Sequence, residues 1–158
     1  MSMLPGVAVT GACGRIGRVL VEYLASRGYP LLLVDQPGSG LEEMGALGAL
    51  VELDLAQPPP AGLFDDREVV VHLAGEANQD APWERLLPAN IQASYHVASA
   101  AMRAGCRRLI VASSVHAVLA SAKRPVTPEN PVAPSDLYGV TKCFVEALAF
   151  WCSPGDSL

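Results

Sequence analysis

The chain has 158 residues, enough for one domain with its own hydrophobic core. Hydrophobic residues make up 51% of it and charged residues 17%, with a mean hydropathy of +0.29. This composition is common in α/β proteins, because their parallel strands are buried on both faces. The formal net charge is −5 and no basic run occurs, which argues against nucleic acid or an anionic membrane as a partner.

Targeting and metal-binding signals are missing from the pattern of residues. The first residues have neither the basic segment nor the cleavage pattern of a signal peptide, and no apolar stretch is long enough to span a bilayer. The spacing of Cys13, Cys106, Cys143 and Cys152 is not that of metal ligands. We therefore expect a cytoplasmic protein with reduced thiols and no bound metal.

Short apolar runs alternate with helical periodicity along the chain. The runs predict five buried strands, at 7–10, 31–34, 50–53, 68–73 and 109–112. The periodic segments predict a helix from Arg15 to a stop at Gly28, a short helix at 41–47, a helical turn at 82–87, a long helix at 89–104, and a last helix from a cap at Ser135 or Asp136 to about Ala149. A proline-rich loop with Pro125, Pro128, Pro131 and Pro134 precedes that last helix.

This alternation is typical of a Rossmann-type α/β domain with a doubly wound parallel sheet. Right-handed crossovers and the usual reversal predict the strand order 3-2-1-4-5. We expect residues 1–158 to form this single domain, with a ligand at the carboxyl ends of the strands beside the first one.

Three glycines separate the first strand from the first helix, in the run Thr10-Gly11-Ala12-Cys13-Gly14-Arg15-Ile16-Gly17. Glycine permits a tight turn, the approach of a pyrophosphate and close packing of helix on strand. The helix N-terminus, at Arg15 and Ile16, presents backbone N–H groups to the phosphates. The loop alone is also compatible with a simple turn. Asp35, at the end of the second strand, favours NAD over NADP, because its carboxylate can bind ribose hydroxyls and repels a 2′-phosphate.

A tyrosine and a lysine four residues apart begin the last helix. Tyr138 and Lys142 share one helix face at this spacing. A phenol is a weak base at neutral pH, but a nearby ammonium favours the phenolate. Tyr138 is thus a candidate base for an alcohol proton, and Lys142 is also a candidate for holding the nicotinamide ribose. Ser114, after the fifth strand, is a candidate for orienting the substrate oxygen.

Together these residues resemble the extended short-chain dehydrogenase/reductase family, in its NAD-dependent epimerase/dehydratase group. The resemblance rests on Thr10 to Gly17, Asp35, Asp54-Leu55, His72-Leu73-Ala74-Gly75, Asn90, Ser113-Ser114 and Tyr138 to Lys142. It implies that Asp54 and Leu55 flank the adenine and that Leu73, Ala74 and Gly75 line the cofactor cleft. It further implies that Asn90 supports the active site from its helix, and that Ser113 belongs to the cofactor site.

Within the family the chain is most similar to uronate dehydrogenases, which oxidise the anomeric carbon of a hexuronic acid to a lactone. The resemblance implies that His116 helps to hold the sugar together with Ser114 and Tyr138, whereas His72 and His96 are expected to be structural. Three positions depart from the pattern, at Ala77, Val115 and Leu119. Ala77 and Val115 replace a serine and an asparagine typical of uronate dehydrogenases, and Leu119 replaces a glycine usual in the family. All three bear on the substrate and not on the cofactor.

Family members continue beyond the last helix with a substrate-binding part, and we expect this part to lie outside the present chain. The resemblance also implies a homodimer through the helices at 89–104 and 136–149. Two alternatives remain open: a nucleotide-sugar epimerase or dehydratase built from the same residues, and a catalytically silent NAD-binding module. Net production of NADH separates a dehydrogenase from an epimerase, since an epimerase returns the hydride.

Overall fold

A computed structural model describes residues 4–120, 125–127 and 129–153. Its centre is a five-stranded parallel sheet in the order β3-β2-β1-β4-β5, which confirms the predicted topology. The strands are β1 (Val7–Thr10), β2 (Leu31–Asp35), β3 (Ala49–Glu52), β4 (Val69–His72) and β5 (Arg108–Val111). Val7 pairs with Leu31 on one side and with Val69 on the other, so these three strands end at the same level.

In the part of the chain that the structure describes, four α-helices and three shorter helical segments connect or follow the strands. They are α1 (Arg15–Ser26), a 3-10 turn (Leu41–Met44), α2 (Trp83–Leu86), a π-helical segment (Leu87–Gln92), α3 (Ala93–Arg103), a second 3-10 turn (Val115–Ala117) and α4 (Leu137–Trp151). No helix among the described residues is long and apolar enough to cross a membrane. Pro128 of the predicted proline-rich loop and residues 154–158 lie outside the described part of the chain.

The core has two layers, one on each face of the sheet. Alternate strand residues such as Ala8 and Val70 pack against Val97 of α3, while Val9 and Leu33 pack on the other face with Val21 of α1. Successive residues of a strand point to opposite faces, and here both faces are apolar. Continuous apolar runs of this kind are expected of buried parallel strands. The helices thus leave the carboxyl ends of the strands as the open edge.

The largest difference from the sequence expectation lies between 82 and 104. The predicted turn at 82–87 and the predicted helix at 89–104 form one continuous helical run. Its middle part, Leu87–Gln92, is π-helical and not α-helical. Pro88 lies at the start of that segment. Proline lacks a backbone N–H and disturbs α-helical bonding, and π segments of this kind are frequent at functional sites. The predicted short helix at 41–47 is only the 3-10 turn Leu41–Met44, followed by Gly45.

Candidate active site

A cleft of about 690 Å³ lies at the carboxyl ends of the central strands. This volume is in the range of small-molecule and cofactor sites. Eight residues predicted to bind the cofactor line it: Gly11, Gly14, Asp35, Asp54, Leu55, Leu73, Ala74 and Gly75. The cleft therefore lies where the strand order predicts a ligand, beside β1 and next to the glycine loop.

The glycine loop is packed so tightly that side chains would not fit. Gly11 has a φ of 72°, and a Cβ on it would lie 2.5 Å from the backbone nitrogen of Ala74. A Cβ on Gly17 would lie 2.1 Å from the carbonyl oxygen of Gly11, so glycine is what allows α1 to approach β1. Gly14 is the N-cap of α1, and no described side chain caps this helix. Its first N–H groups, at the exposed Arg15 and Ile16, are therefore available to an anion.

Asp35 ties the end of β2 to the glycine loop. Its Oδ2 accepts a hydrogen bond from the backbone N–H of Cys13 at 2.8 Å, and its Oδ1 accepts one from Gln36 at 2.8 Å. The carboxylate also lines the cleft. Asp35 thus shapes the loop that would surround the phosphates and presents a negative charge beside it.

Hydrogen bonds between side chains and the backbone hold the part of the predicted site that is expected to bind adenine. Asp54 Oδ1 accepts a hydrogen bond from the N–H of Ala56 at 3.0 Å, which fixes the turn after β3. The carbonyl of Leu55 accepts from Nδ1 of His96 at 2.9 Å. His96 therefore joins α3 to this turn.

His72 is buried at the end of β4 and joins three elements. Its Nδ1 lies 2.7 Å from Thr10 Oγ1 on β1, and its Nε2 lies 3.1 Å from Ser94 Oγ on α3. Because Ser94 Oγ donates to the carbonyl of Asn90, it accepts from Nε2–H, so Nδ1 accepts from the Thr10 hydroxyl. Burial and the positive charge of Lys142 lower the pKa of His72 to about 4. A neutral His72 therefore satisfies this network.

Asn90 lies within the π-helical segment and connects it to α4. Its Oδ1 accepts from the N–H of Glu76 at 2.8 Å, while its Nδ2 donates to the Glu76 carbonyl and to Thr141 Oγ1, at 3.1 and 3.0 Å. Thr141 Oγ1 in turn donates to the carbonyl of Tyr138 at 2.7 Å. Both Asn90 and Thr141 are fully buried. This chain of bonds sets the position of the first turn of α4 relative to the cleft.

Lys142 lies between β5 and Tyr138. Its Nζ donates to the carbonyl of Ala112 at 3.1 Å and lies 5.4 Å from the centroid of the Tyr138 ring. Burial lowers the pKa of Lys142 below its ordinary value. Ser114 begins the 3-10 turn after β5, where its Oγ accepts from the N–H of His116. Ser113 is exposed, and its hydroxyl donates to Glu146 on α4.

His116 packs against the ring of Tyr138 and is bonded to an acidic residue. The His116 and Tyr138 rings meet edge to face, with centroids 5.5 Å apart and an interplanar angle of 80°. Nδ1 of His116 lies 2.6 Å from Oδ2 of Asp136. Asp136 Oδ1 caps α4 by accepting from the N–H of Gly139 at 2.7 Å. One carboxylate thus anchors both the helix that carries Tyr138 and the ring beside it.

Not every predicted site residue lines the cleft. The predicted site residues that are not in its lining are Arg15, Ile16, Gly17, Asn90, Ser113, Ser114, His116, Tyr138 and Lys142. Sequence reasoning missed four supporting residues: Glu76, Asp136 as a partner of His116, Gly139 and Thr141. Gly139 is required because a Cβ there would lie 2.4 Å from the carbonyl oxygen of His116. Among the described residues no group of three or more His, Cys, Asp or Glu could hold a metal ion.

Comparison with known proteins decides the family. The model of the NAD dependent epimerase/dehydratase family matches residues 7–153. The chain belongs to this family. Its NAD-dependent character agrees with the predicted cofactor, and the glycine cradle and cleft described above fit a dinucleotide.

Two relatives are sugar dehydrogenases. An L-arabinose 1-dehydrogenase (NAD(P)(+)) of Haloferax volcanii is 36% identical over 156 residues, covering 90% of this chain and 59% of the relative. A uronate dehydrogenase of Agrobacterium fabrum is 36% identical over 143 residues, covering 89% of this chain and 53% of the relative. The chain thus spans little more than half the length of these relatives.

A solved structure carries ligands that bear on the site. The Bordetella bronchiseptica enzyme WbmG, in complex with NAD and UDP, superposes with a TM-score of 0.79 at 27% identity, over 93% of this chain and 49% of WbmG. Its fold therefore contains the whole domain described here, in a protein that holds a dinucleotide and a nucleotide together.

Proposed function

We propose that this chain is the NAD-binding, catalytic half of a dehydrogenase that oxidises the anomeric carbon of a sugar or a hexuronic acid to a lactone. The observation that carries the proposal is the position of Tyr138 beside the Lys142 ammonium, at the carboxyl end of β5. The sugar dehydrogenases among its relatives support the same chemistry. The name of the first of them specifies reaction at carbon 1.

NAD fits the cleft through the residues that line it. The pyrophosphate would contact the glycine loop and the N-terminus of α1, which Gly11 and Gly17 allow to lie close to the backbone of its neighbours. The Asp35 carboxylate would accept hydrogen bonds from the ribose hydroxyls, and Asp54 and Leu55 would flank the adenine. When bound, NAD supplies an acceptor for the hydride that leaves the anomeric carbon.

The chain's own residues handle the proton. Tyr138 takes the proton of the anomeric hydroxyl as its C–H bond is broken, and the carbonyl of the lactone forms. The Lys142 ammonium lies 5.4 Å from the centroid of the Tyr138 ring and is itself held by a hydrogen bond to the carbonyl of Ala112. Ser114 orients the reacting oxygen by a hydrogen bond, and His116 accepts a hydrogen bond from a neighbouring hydroxyl of the sugar. Ser113, which lies outside the lining of the cleft, would contact the bound cofactor, and Asn90 holds the turn of α4 from which Tyr138 projects.

The direct test is NADH formation by the purified chain with L-arabinose, galacturonate or glucuronate. Tyr138→Phe is expected to lower kcat by about 100-fold or more, because it removes the base. Tyr23→Phe is the matched control, since Tyr23 lies on α1 and is half-exposed. A folded, NAD-binding chain that forms no NADH with any of these sugars, even when it is joined to the remaining part of a sugar dehydrogenase relative, would refute the proposal. Full activity in Tyr138→Phe would refute the role of the tyrosine.

A nucleotide-sugar epimerase or dehydratase is the second candidate, favoured by the UDP-bound structural relative. In that case a UDP-sugar would be converted with no net NADH, since the hydride returns to the product. A catalytically silent NAD-binding module would bind NAD and convert neither class of sugar.

We also propose that the protein acts in the cytoplasm as a homodimer joined through α3 and α4. Large apolar side chains on these helices are exposed, among them Tyr95 at 51%, Val140 at 42% and Phe150 at 71%. Exposed apolar surface of this kind is typical of interaction sites. Sedimentation equilibrium of the purified chain tests this: a monomer at micromolar concentration would contradict it.

A further inference from the structure

We infer that Asp136 is a positioning residue, which fixes a proton on Nδ1 of His116 and so, whenever the ring is neutral, presents Nε2 as an acceptor for a hydrogen bond from a sugar hydroxyl. This assignment rests on the proposed function for the role of His116 toward the sugar. The tautomer itself is a property of the free chain and can be tested without turnover.

The hydrogen-bonding capacity of the carboxylate decides the tautomer. An ionised carboxylate only accepts hydrogen bonds. At 2.6 Å from Asp136 Oδ2, Nδ1 of His116 must therefore carry the proton of that bond. In a neutral imidazole the other nitrogen then keeps its lone pair, and the partner of one nitrogen fixes the role of the other.

Three neighbours keep Asp136 ionised and in place. Burial raises the pKa of Asp136, but hydrogen bonds from Gly139, His116 and Ser135 outweigh it and hold the pKa below the ordinary value. Ser135 Oγ donates to the same Oδ2 at 2.8 Å. The carboxylate therefore stays an acceptor at neutral pH, and its two oxygens have separate tasks: Oδ1 caps α4 and Oδ2 holds the ring.

The position of the ring makes the tautomer relevant to chemistry. The His116 ring meets the Tyr138 ring edge to face at 5.5 Å. The backbone of His116 is fixed as well, since its N–H donates to Ser114 Oγ and its carbonyl lies against Gly139. A rigid acceptor beside the proposed base would bind a sugar hydroxyl next to the one that loses its proton.

Asp136→Asn separates the two tasks of the carboxylate. Asparagine is as good an N-cap as aspartate, so Oδ1 keeps the bond from Gly139. The amide nitrogen that replaces Oδ2 can only donate, and a donor there requires an unprotonated Nδ1. The proton of His116 then moves to Nε2. This nitrogen then donates a hydrogen bond to the sugar instead of accepting one from it. Ser135→Ala is the matched control, because it leaves the His116–Asp136 bond intact.

The experiment is nitrogen-15 NMR of histidine-labelled full chain at about pH 8, where an ordinary histidine is neutral. His116 is assigned by its loss in His116→Gln, which leaves the signals of His72 and His96. We expect Nδ1–H for His116 in the wild type and in Ser135→Ala, and Nε2–H in Asp136→Asn, with unchanged helix content by circular dichroism. An Nε2–H tautomer in the wild type, or no change in Asp136→Asn, would overturn the assignment.

Sugar kinetics supply the second readout. Asp136→Asn is expected to lower kcat/KM for the sugar about tenfold or more, the size of one hydrogen bond to a substrate group, while KM for NAD stays unchanged. Equal kcat/KM in the wild type and in a folded Asp136→Asn with a switched tautomer would overturn the role toward sugar. Absence of turnover with every sugar would count against the proposed function, while the NMR result still decides the tautomer.

Discussion

Lowering the pH should destabilise this fold through one buried histidine at the end of β4. His72 is 3% exposed and is bonded on both nitrogens, and its pKa is lowered to about 4 by burial and by the charge of Lys142. In the unfolded chain the same ring has an ordinary pKa of about 6.5. Between these two values the unfolded chain binds a proton that the folded chain does not, so stability is lost as the pH falls through this range.

The size of the effect follows from the two pKa values. At pH 5 the His72 ring is almost fully protonated in the unfolded chain, but only roughly one ring in ten is protonated in the folded chain. The free energy of unfolding is therefore lower at pH 5 than at pH 7.5 by about 2 kcal/mol. Below pH 4 the loss levels off at about 3 kcal/mol. The free energy of unfolding from urea titrations at pH 5 and pH 7.5 measures this difference for the wild type.

His72→Asn removes the titrating ring and is the comparison that isolates its contribution. The variant is less stable at every pH because it disturbs the contacts to Thr10 and Ser94. Its loss of stability between pH 7.5 and pH 5 should nevertheless be smaller than that of the wild type by about 2 kcal/mol. Equal losses in the two proteins would refute the assignment of a neutral, buried His72.

Two further predictions concern the glycine loop and the buried side chain of Asn90. Gly11→Ala and Gly38→Ala both place a side chain at positive φ, which costs about 1–2 kcal/mol. At Gly11 the added Cβ would also collide with backbone atoms of Ala74, whereas at Gly38 nothing lies within 4 Å of it. Gly11→Ala should therefore cost clearly more in urea unfolding and weaken NAD binding in calorimetry, and equal effects would contradict the close approach. Asn90→Ala removes the three hydrogen bonds of a buried side chain, including the one to Thr141, and should cost about 3 kcal/mol. A loss under about 1 kcal/mol would show that the bridge to α4 is not formed.

Much of the fold could be predicted from local patterns. The apolar runs at 7–10 and 31–34 give the strand positions within one or two residues, because buried parallel strands are apolar on both faces. The glycine run before Arg15 and the position of Asp35 then indicate the cleft. These signals lie within single elements or between adjacent ones, where spacing along the chain determines spacing in the structure.

The features that escaped prediction depend on contacts between distant residues. The π-helical segment widens one turn without disturbing the apolar pattern, so 89–104 resembles an ordinary helix in sequence. The bond from Asn90 to Thr141 spans 51 residues, and the bond from His116 to Asp136 spans 20. Gly139 is needed for the approach of α4 to the carbonyl of His116, which no local pattern indicates.

The central claim is that the cleft beside the glycine loop binds NAD, with Asp35 selecting against NADP. Calorimetric titration of the folded chain with NAD and with NADP tests it, with Asp35→Asn as the variant because asparagine keeps one oxygen for the loop N–H groups. We predict saturable binding of NAD, at least about tenfold weaker binding of NADP, as expected for the loss of one hydrogen bond to a charged group, and a smaller preference in Asp35→Asn. No binding of NAD by the folded chain, or a preference for NADP, would contradict it.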